Sequence, residues 1–472
     1  MARLAAILLL AAAGCAAPSA RGPSGLRAGA FAMDVTPERF PISVNGGMSD
    51  RQADSAHDRL HARCLVLDDG RTALAIAVVD SCMIPREIVD AARARAEAAT
   101  GIPAAHMLVS ATHTHTAPTA GPAFQSDPDP DYVAFLARRI AEGIAEAARR
   151  RAPAELGWAV GRDPGHLFNR RWLLKEGIVY EDPFGKKRDR VKMNPGYNNP
   201  DLHRPAGPVD PEVPVLGVRR PDGTPVAALV NYGLHYVGGV PALSADYFGM
   251  FADRFARRVG QEGGNGPFVA ILSNGTSGDV NNVNYAGKPP GNRAPGEQAA
   301  RVAEDLAAAV HEAWKGIAWR SDVTLASAQE EIELGVRKPS EAEVREARDL
   351  LAAAAGRPLK GLREIYARET VQLADYPATV RMRLQALRIG GLGVAAIPCE
   401  VFTEIGLEIR RRSPLRPAFT IELANGYNGY LPTPAQHELG GYETWRAKSS
   451  YLETGASPRI VETIVRLLGA VR

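Results

Sequence analysis

The sequence predicts a single large α/β domain, and three observations predict it. Apolar runs of strand character alternate with amphipathic helical stretches along most of the chain. No linker interrupts that alternation after residue 30. Side chains able to bind metal or move protons recur just beyond predicted strands, at the carboxyl ends where functional groups collect in α/β sheets. A length of 472 residues exceeds the usual single core and leaves one large domain or two intimately packed lobes; without a linker, one domain is the reading.

Hydrophobic residues at 45% and charged residues at 23% suffice for a sizeable core. The formal charge of +3 is spread rather than massed on one element, which gives nucleic-acid binding no support. At the N-terminus, Arg3 precedes the apolar run Leu4 to Ala13, too short to span a bilayer. Gly14-Cys15 closes it like a lipoprotein cleavage site, although Ala12 stands where Leu is usual. The expectation is a signal peptide over 1–15, acylation of Cys15, a flexible tether over 16–30 and the catalytic domain over 31–472. The protein would then lie outside the cytoplasm, touching the membrane only through the lipid at Cys15, with simple secretion as the alternative. Cys64, Cys82 and Cys399 sit in or beside apolar strands, so buried thiols are expected.

Along the body, Arg63 to Asp68 and Thr72 to Asp80 are β-rich runs around Asp69-Gly70, a hairpin signature. Pro85 opens a helix that ends before Gly101. His106 to Ala111 is a short strand leading into Thr112-His113-Thr114-His115, and Tyr132 to Arg151 is an amphipathic helix. Gly161 to Gly207 has little periodicity and is long for a connection, which predicts a loop that is either functional or disordered. Val213 to Arg219 and Val226 to Tyr232 form a strand pair, followed by a helix from Ala245 to Arg258, a strand at Phe268 to Leu272 and a helix from Pro295 to Trp314. Ser340 and Glu343 give a capping box for a helix inside a helical insertion over 335–376, between strands near Val323 to Leu334 and Arg381 to Ile389. Strand Gly393 to Ile397, a helix from Glu400, strand Ala418 to Leu423, a Gly/Tyr loop and a C-terminal helix complete the chain.

The candidate ligands follow strand ends: His113 and His115, His235, Asp279 and Asn281, Glu400, and Tyr430. Each has an ordinary explanation as well. A His-x-His pair is as often a satisfied structural pair, and His235 can cap a loop. An acid such as Glu400 at a helix start is favoured by the macrodipole, and Tyr430 between Gly429 and Leu431 can simply pack.

Taken together these residues resemble the catalytic domain of the neutral, non-lysosomal ceramidases, zinc amidases that cleave the N-acyl bond of ceramide. The similarity runs from Asp34-Val35-Thr36-Pro37 to the C-terminal helix. Its most specific matches are Ala111-Thr112-His113-Thr114-His115, the turn Gly278-Asp279-Val280, and Asn425-Gly426-Tyr427-Asn428-Gly429-Tyr430 followed by Tyr442-Glu443. The resemblance implies mixed β-sheets covered by helices and one Zn²⁺ per chain on His113, His235, Glu400 and Tyr430. It places His115, Arg170 and Tyr442 beside the metal, with Asp279 and Asn281 in the catalytic turn. Two imidazoles, a carboxylate and a phenolic oxygen suit zinc and leave room for an activated water. His115 would shuttle a proton, and Tyr442 or Arg170 would stabilise the oxyanion.

The chain also departs from the family. Ceramidases carry a serine in Gly-Asp-Val-Ser-Pro-Asn, where this sequence reads Gly278-Asp279-Val280-Asn281-Asn282-Val283, and Asn281 cannot act as a nucleophile. The family's C-terminal β-sandwich has no counterpart after Tyr442. The expected function is a zinc-dependent hydrolase cleaving an amide or ester bond of an N-acyl lipid or other acylated substrate through zinc-activated water. The alternatives are a zinc hydrolase for acylated sugars or cell-wall amides, and a catalytically lapsed, surface-tethered binding protein.

Overall fold

Strands buried on both faces organise the molecule. In His61–Asp68, Ala62, Cys64 and Val66 enter one apolar cluster, while Leu65 and Leu67 enter another on the opposite side. Ala73–Val79 alternates in the same way, with Ala75, Ala77 and Val79 on one side and Leu74, Ile76 and Val78 on the other. This is the period of two of an extended chain with apolar layers above and below, and it explains why both segments read as continuous apolar runs. The computed structural model describes residues 25–260, 268–354 and 356–472.

Three mixed sheets result. In the first, Arg27–Asp34, His61–Asp68 and Ala73–Val79 run antiparallel, Met107–Ala111 adds parallel to Ala73–Val79, and Ala152–Pro153 closes the other edge. The second is ordered Val269–Asn274, Pro225–Tyr232, Glu212–Arg219, Glu155–Arg162, and its first pair is parallel. The third is ordered Leu325–Gly335, Thr379–Ile389, Leu392–Ala396, Ala418–Ile421, and its last pair is parallel. Their inner faces share one core, with Leu65 and Ile76 from the first sheet, Leu229 and Ile271 from the second, and Leu387 and Val394 from the third.

Helices cover the outer faces, as expected of one α/β domain. Arg86–Thr100 and Pro130–Arg149 lie on the first sheet. Gly101 at φ 71° ends the former, and the Asp129 side chain caps the latter by accepting from the N–H groups of Asp131 and Tyr132. Asp246–Arg258 and Glu297–Lys315 cover the second sheet, and Thr403–Arg412 and Ala456–Ala470 the third. The insertion carries helices Glu341–Ala353 and Gly361–Ala374, and the Ser340–Glu343 capping box is formed. No helix among the described residues is long and apolar enough to cross a membrane.

Three segments differ from expectation. The tether is shorter than predicted: Arg27–Asp34 is already a strand, because the small side chains of Ala28 and Ala30 fit the shared core. The signal, Cys15 and the tether up to residue 24 lie outside the described residues. The 161–207 stretch is a set of short strands, including Arg171–Leu174, Val191–Met193 and Leu202–Pro205 in one small antiparallel sheet. Glu400 does not open a helix. It forms the two-residue strand Glu400–Val401, parallel to Tyr430–Leu431, and the helix starts at Thr403.

Candidate metal centre

Each sheet contains one parallel strand pair, and the candidate ligands leave the carboxyl ends of these pairs. His113 follows Met107–Ala111 of the first sheet, His235 follows Pro225–Tyr232 of the second, and Glu400 follows Leu392–Ala396 of the third. Leaving the first sheet requires a sharp turn. Thr112 and His113 donate their N–H groups to the carbonyls of Val79 and Ser81, and His113 takes a left-handed backbone at φ 71°. That conformation costs a non-glycine residue about 1–2 kcal/mol and turns the imidazole into the centre.

Backbone carbonyls set both ring orientations. The Nδ1–H of His113 donates to the Cys82 carbonyl at 2.7 Å, and that of His235 to the Ser277 carbonyl at 3.1 Å. With Nδ1 held to a carbonyl, each ring presents its Nε2 to an ion that displaces any proton there. These two atoms face each other at 3.0 Å, with Oε2 of Glu400 at 3.3 Å from His113 and 3.9 Å from His235. All three side chains are buried, and Glu400 Oε2 has no hydrogen-bond partner. Three lone pairs converging in a buried space repel unless a cation sits between them. Tetrahedral zinc with bonds of 2.0–2.1 Å sets its ligand atoms about 3.3 Å apart, so these separations fit such an ion.

The electrostatics carry the same demand. Burial opposes charge on His113, but the Glu400 carboxylate outweighs it and holds the His113 pKa well above the usual value. Burial, together with Arg170 and His113, holds His115 and His235 well below theirs. Burial would raise Glu400, yet His113 and Arg170 keep it below its ordinary range. The centre therefore stabilises one positive charge between His113, His235 and Glu400, with its other imidazoles neutral.

The remaining predicted residues surround this core in different ways. His115 Nε2 lies 3.1 Å from His113 Nε2, and its ring stacks on Tyr236 with centroids 3.7 Å apart. Gly46 packs so closely on the other side that a Cβ there would overlap the His115 ring. Arg170 donates to the Tyr430 hydroxyl at 3.0 Å, to the Gly278 carbonyl at 2.9 Å and to Glu443 at 3.0 Å. Tyr430 stands beside Glu400, with which its backbone pairs as parallel strand. Tyr442 is half-buried with its ring 5.7 Å from that of Tyr430. Asp279 is engaged away from the candidate ligands: its carboxylate accepts from the Thr403 N–H and hydroxyl and from Asn169. The Asn281 amide donates to Asn194 at 2.7 Å, while its oxygen accepts from the Val283 N–H.

Several supporting residues were missed in the sequence. Tyr427 donates to the second Glu400 oxygen at 2.9 Å, and Glu443, fully buried, bridges Arg170 and Arg171. Both lie inside the two motifs richest in Gly and Tyr, which was their available signal. Glu422 accepts from the Ser277 hydroxyl and from the Val401 N–H, and nothing in its apolar strand announced it.

The fold can be compared with solved structures. This chain is similar to the crystal structure of neutral ceramidase from Pseudomonas aeruginosa, with a TM-score of 0.72 over 95% of this chain and 75% of that one, at 18% identity. The chain has the neutral ceramidase fold. A structure described as ceramidase complexed with C2 is similar over the same shares, with a TM-score of 0.70 and 18% identity. No protein-family profile matches the sequence, and no curated protein does. Within this ceramidase-like fold, His113, His235 and Glu400 meet where the three sheets end.

Proposed function

We propose that the protein is a zinc-dependent hydrolase that cleaves an amide or ester bond of an N-acyl lipid or other acylated substrate. The observation that carries this reading is the convergence of two Nε2 atoms and an unpartnered Glu400 oxygen, from three different sheets, in a buried space. Two imidazoles and a carboxylate are a donor set that catalytic zinc uses, with Tyr430 adjacent as a fourth oxygen. Zinc, when bound, supplies Lewis acidity and brings the acidity of water into the neutral range. His115, fixed by stacking on Tyr236 and kept neutral, accepts a proton at Nε2 and returns it to the leaving group. Arg170, a permanent cation locked by Glu443, polarises the Tyr430 hydroxyl and favours negative charge developing beside it, together with the Tyr442 hydroxyl.

Asn281 stands where the ceramidases carry serine, so no acyl-enzyme forms and turnover of an activated ester shows no burst. The same residue favours a second reading, a tethered binding protein without catalysis. Chain beginning after Cys15 is to be purified, its zinc measured by elemental analysis, and its activity screened against N-acyl lipids, acyl esters and acetylated sugars. About one zinc per chain is expected, with zinc and hydrolysis both lost in His113→Ala and His235→Ala. Zinc content unchanged in either variant refutes the metal centre. Zinc without hydrolysis of any of the three substrate types favours the binding protein, and activity confined to acetylated sugars favours the carbohydrate alternative.

A further inference from the structure

A cavity of about 360 Å³, bordered by His166, Phe168, Tyr197, Lys288, Arg293 and Arg301, adjoins the Asn281 turn. One strand of its lining leads to the candidate metal centre. Phe168 pairs with Asn281 across a two-residue ribbon, and Arg170 follows two positions on, about 7 Å along an extended chain. The Tyr197 ring packs 5.4 Å from that of Tyr285, which is close enough to Asn281 and Arg170 for both to lower its pKa against the larger effect of burial.

The cavity is cationic, and Asp305 answers only the part of its charge at His166 and Arg301. No residue lining it is acidic. Of the carboxylates Glu297, Glu304 and Asp305 on the Glu297–Lys315 helix, only Asp305 pairs with lining residues. Glu304 pairs with Arg254 and Arg258, Glu297 accepts from the Ala294 N–H, and Asp305 holds His166 at 2.9 Å and approaches Arg301 at 3.9 Å. Lys288 and Arg293 are exposed and make no ion pair among the described residues. A second cavity, of about 130 Å³, reaches Tyr442 and has a mixed lining: Met48, Val191, Met193, Leu362 and Trp445 beside the charged Glu181, Asp189 and Lys192, with Asp189 engaged by the Trp445 N–H. The cationic cavity thus differs from the pocket at Tyr442 in lacking any carboxylate.

We propose that the cationic cavity is an anion subsite, and that the acylated substrate carries a carboxylate or phosphate on the part released from the acyl group. Lys288 and Arg293 supply the attraction, with Arg301 and His166 at the edge. Phe168 and Tyr197 provide flat faces against the connecting atoms. This rests on the hydrolase reading and narrows its substrates to acylated amines or alcohols with an anionic head.

Matched ligands test it on the zinc-loaded chain beginning after Cys15: an N-octanoyl amino acid against its carboxamide, and N-octanoyl ethanolamine phosphate against the unphosphorylated compound. Calorimetric binding is measured alongside cleavage. At low ionic strength the anionic member of at least one pair binds about tenfold tighter, and the preference shrinks with added salt. The double variant Lys288→Ala/Arg293→Ala abolishes the preference while leaving zinc content and binding of the neutral members unchanged. The pair that shows the preference distinguishes carboxylate from phosphate. Equal binding within both pairs, including no binding at all, or a preference that survives the double variant, overturns the subsite. Cleavage without anionic preference leaves the hydrolase standing and removes the subsite; anionic preference through Lys288 and Arg293 without cleavage does the reverse.

Discussion

The Ser277 hydroxyl meets a carboxylate oxygen of Glu422 at 2.6 Å, and the other oxygen of the same carboxylate accepts from the Val401 N–H at 2.7 Å. Ser277 orients His235 through its carbonyl, and Val401 follows Glu400, so one buried side chain ties together loops from two sheets. Burial pushes Glu422 up to about 8, and it is mainly protonated at neutral pH. Glu422→Gln therefore retains near-normal zinc affinity, whereas Glu422→Ala weakens it by about 10- to 100-fold, the usual effect of losing support behind a ligand. Competition with a chelator measures both, and an alanine variant with unchanged affinity removes Glu422 from the metal's support.

Gly46 tests His115 separately from the metal. It has φ 108° and lies against the His115 ring, so Gly46→Ala displaces the imidazole while leaving His113, His235 and Glu400 in place. Zinc content stays near one per chain and kcat falls by about 10²-fold or more, the scale of a lost proton shuttle. A variant with full activity would exclude His115 from proton transfer.

His61 makes stability depend on pH away from the centre. Its Nδ1 is buried without a partner, and burial, reinforced by Arg63, lowers its pKa to about 4. The unfolded chain takes up the proton near pH 6.5 and the folded chain only near pH 4. The contribution is whole above pH 6.5 and is lost as the pH falls through this window, reaching about 3 kcal/mol. Denaturant midpoints between pH 7 and 4 should fall less steeply in His61→Gln than in wild type.

We propose that Cys15 carries a lipid anchor, which a substitution tests. Full-length protein should partition with membranes after processing, and Cys15→Ala should remain unprocessed or be released. Equal partitioning of the two processed forms would point to secretion with another mode of attachment.

The main sheets were legible because their strands are buried on both faces and their helices carry local punctuation, such as Pro85 with Gly101 and Ser340 with Glu343. His113, His235 and Glu400 were legible through a family resemblance, since each alone has an ordinary explanation. What escaped depends on distant partners. The short strands of 161–207 are held from afar, with the Arg190 N–H donating to the Leu439 carbonyl and Arg171 reaching Glu443. Glu400 has the local signature of a helix start, but pairing with Tyr430 draws it into a strand.

The origin of the three ligands in three sheets has a consequence for how the protein matures. His113, His235 and Glu400 are separated by more than a hundred residues of chain, and no pair of sheets brings all of them together. A partly assembled chain offers at most two ligands, so tight metal uptake is deferred until the last sheet docks. Metallation would thereby become a checkpoint on tertiary assembly. An ion held by the three side chains would act as a rivet across the junction of the sheets, and its release on unfolding would accompany the parting of that junction.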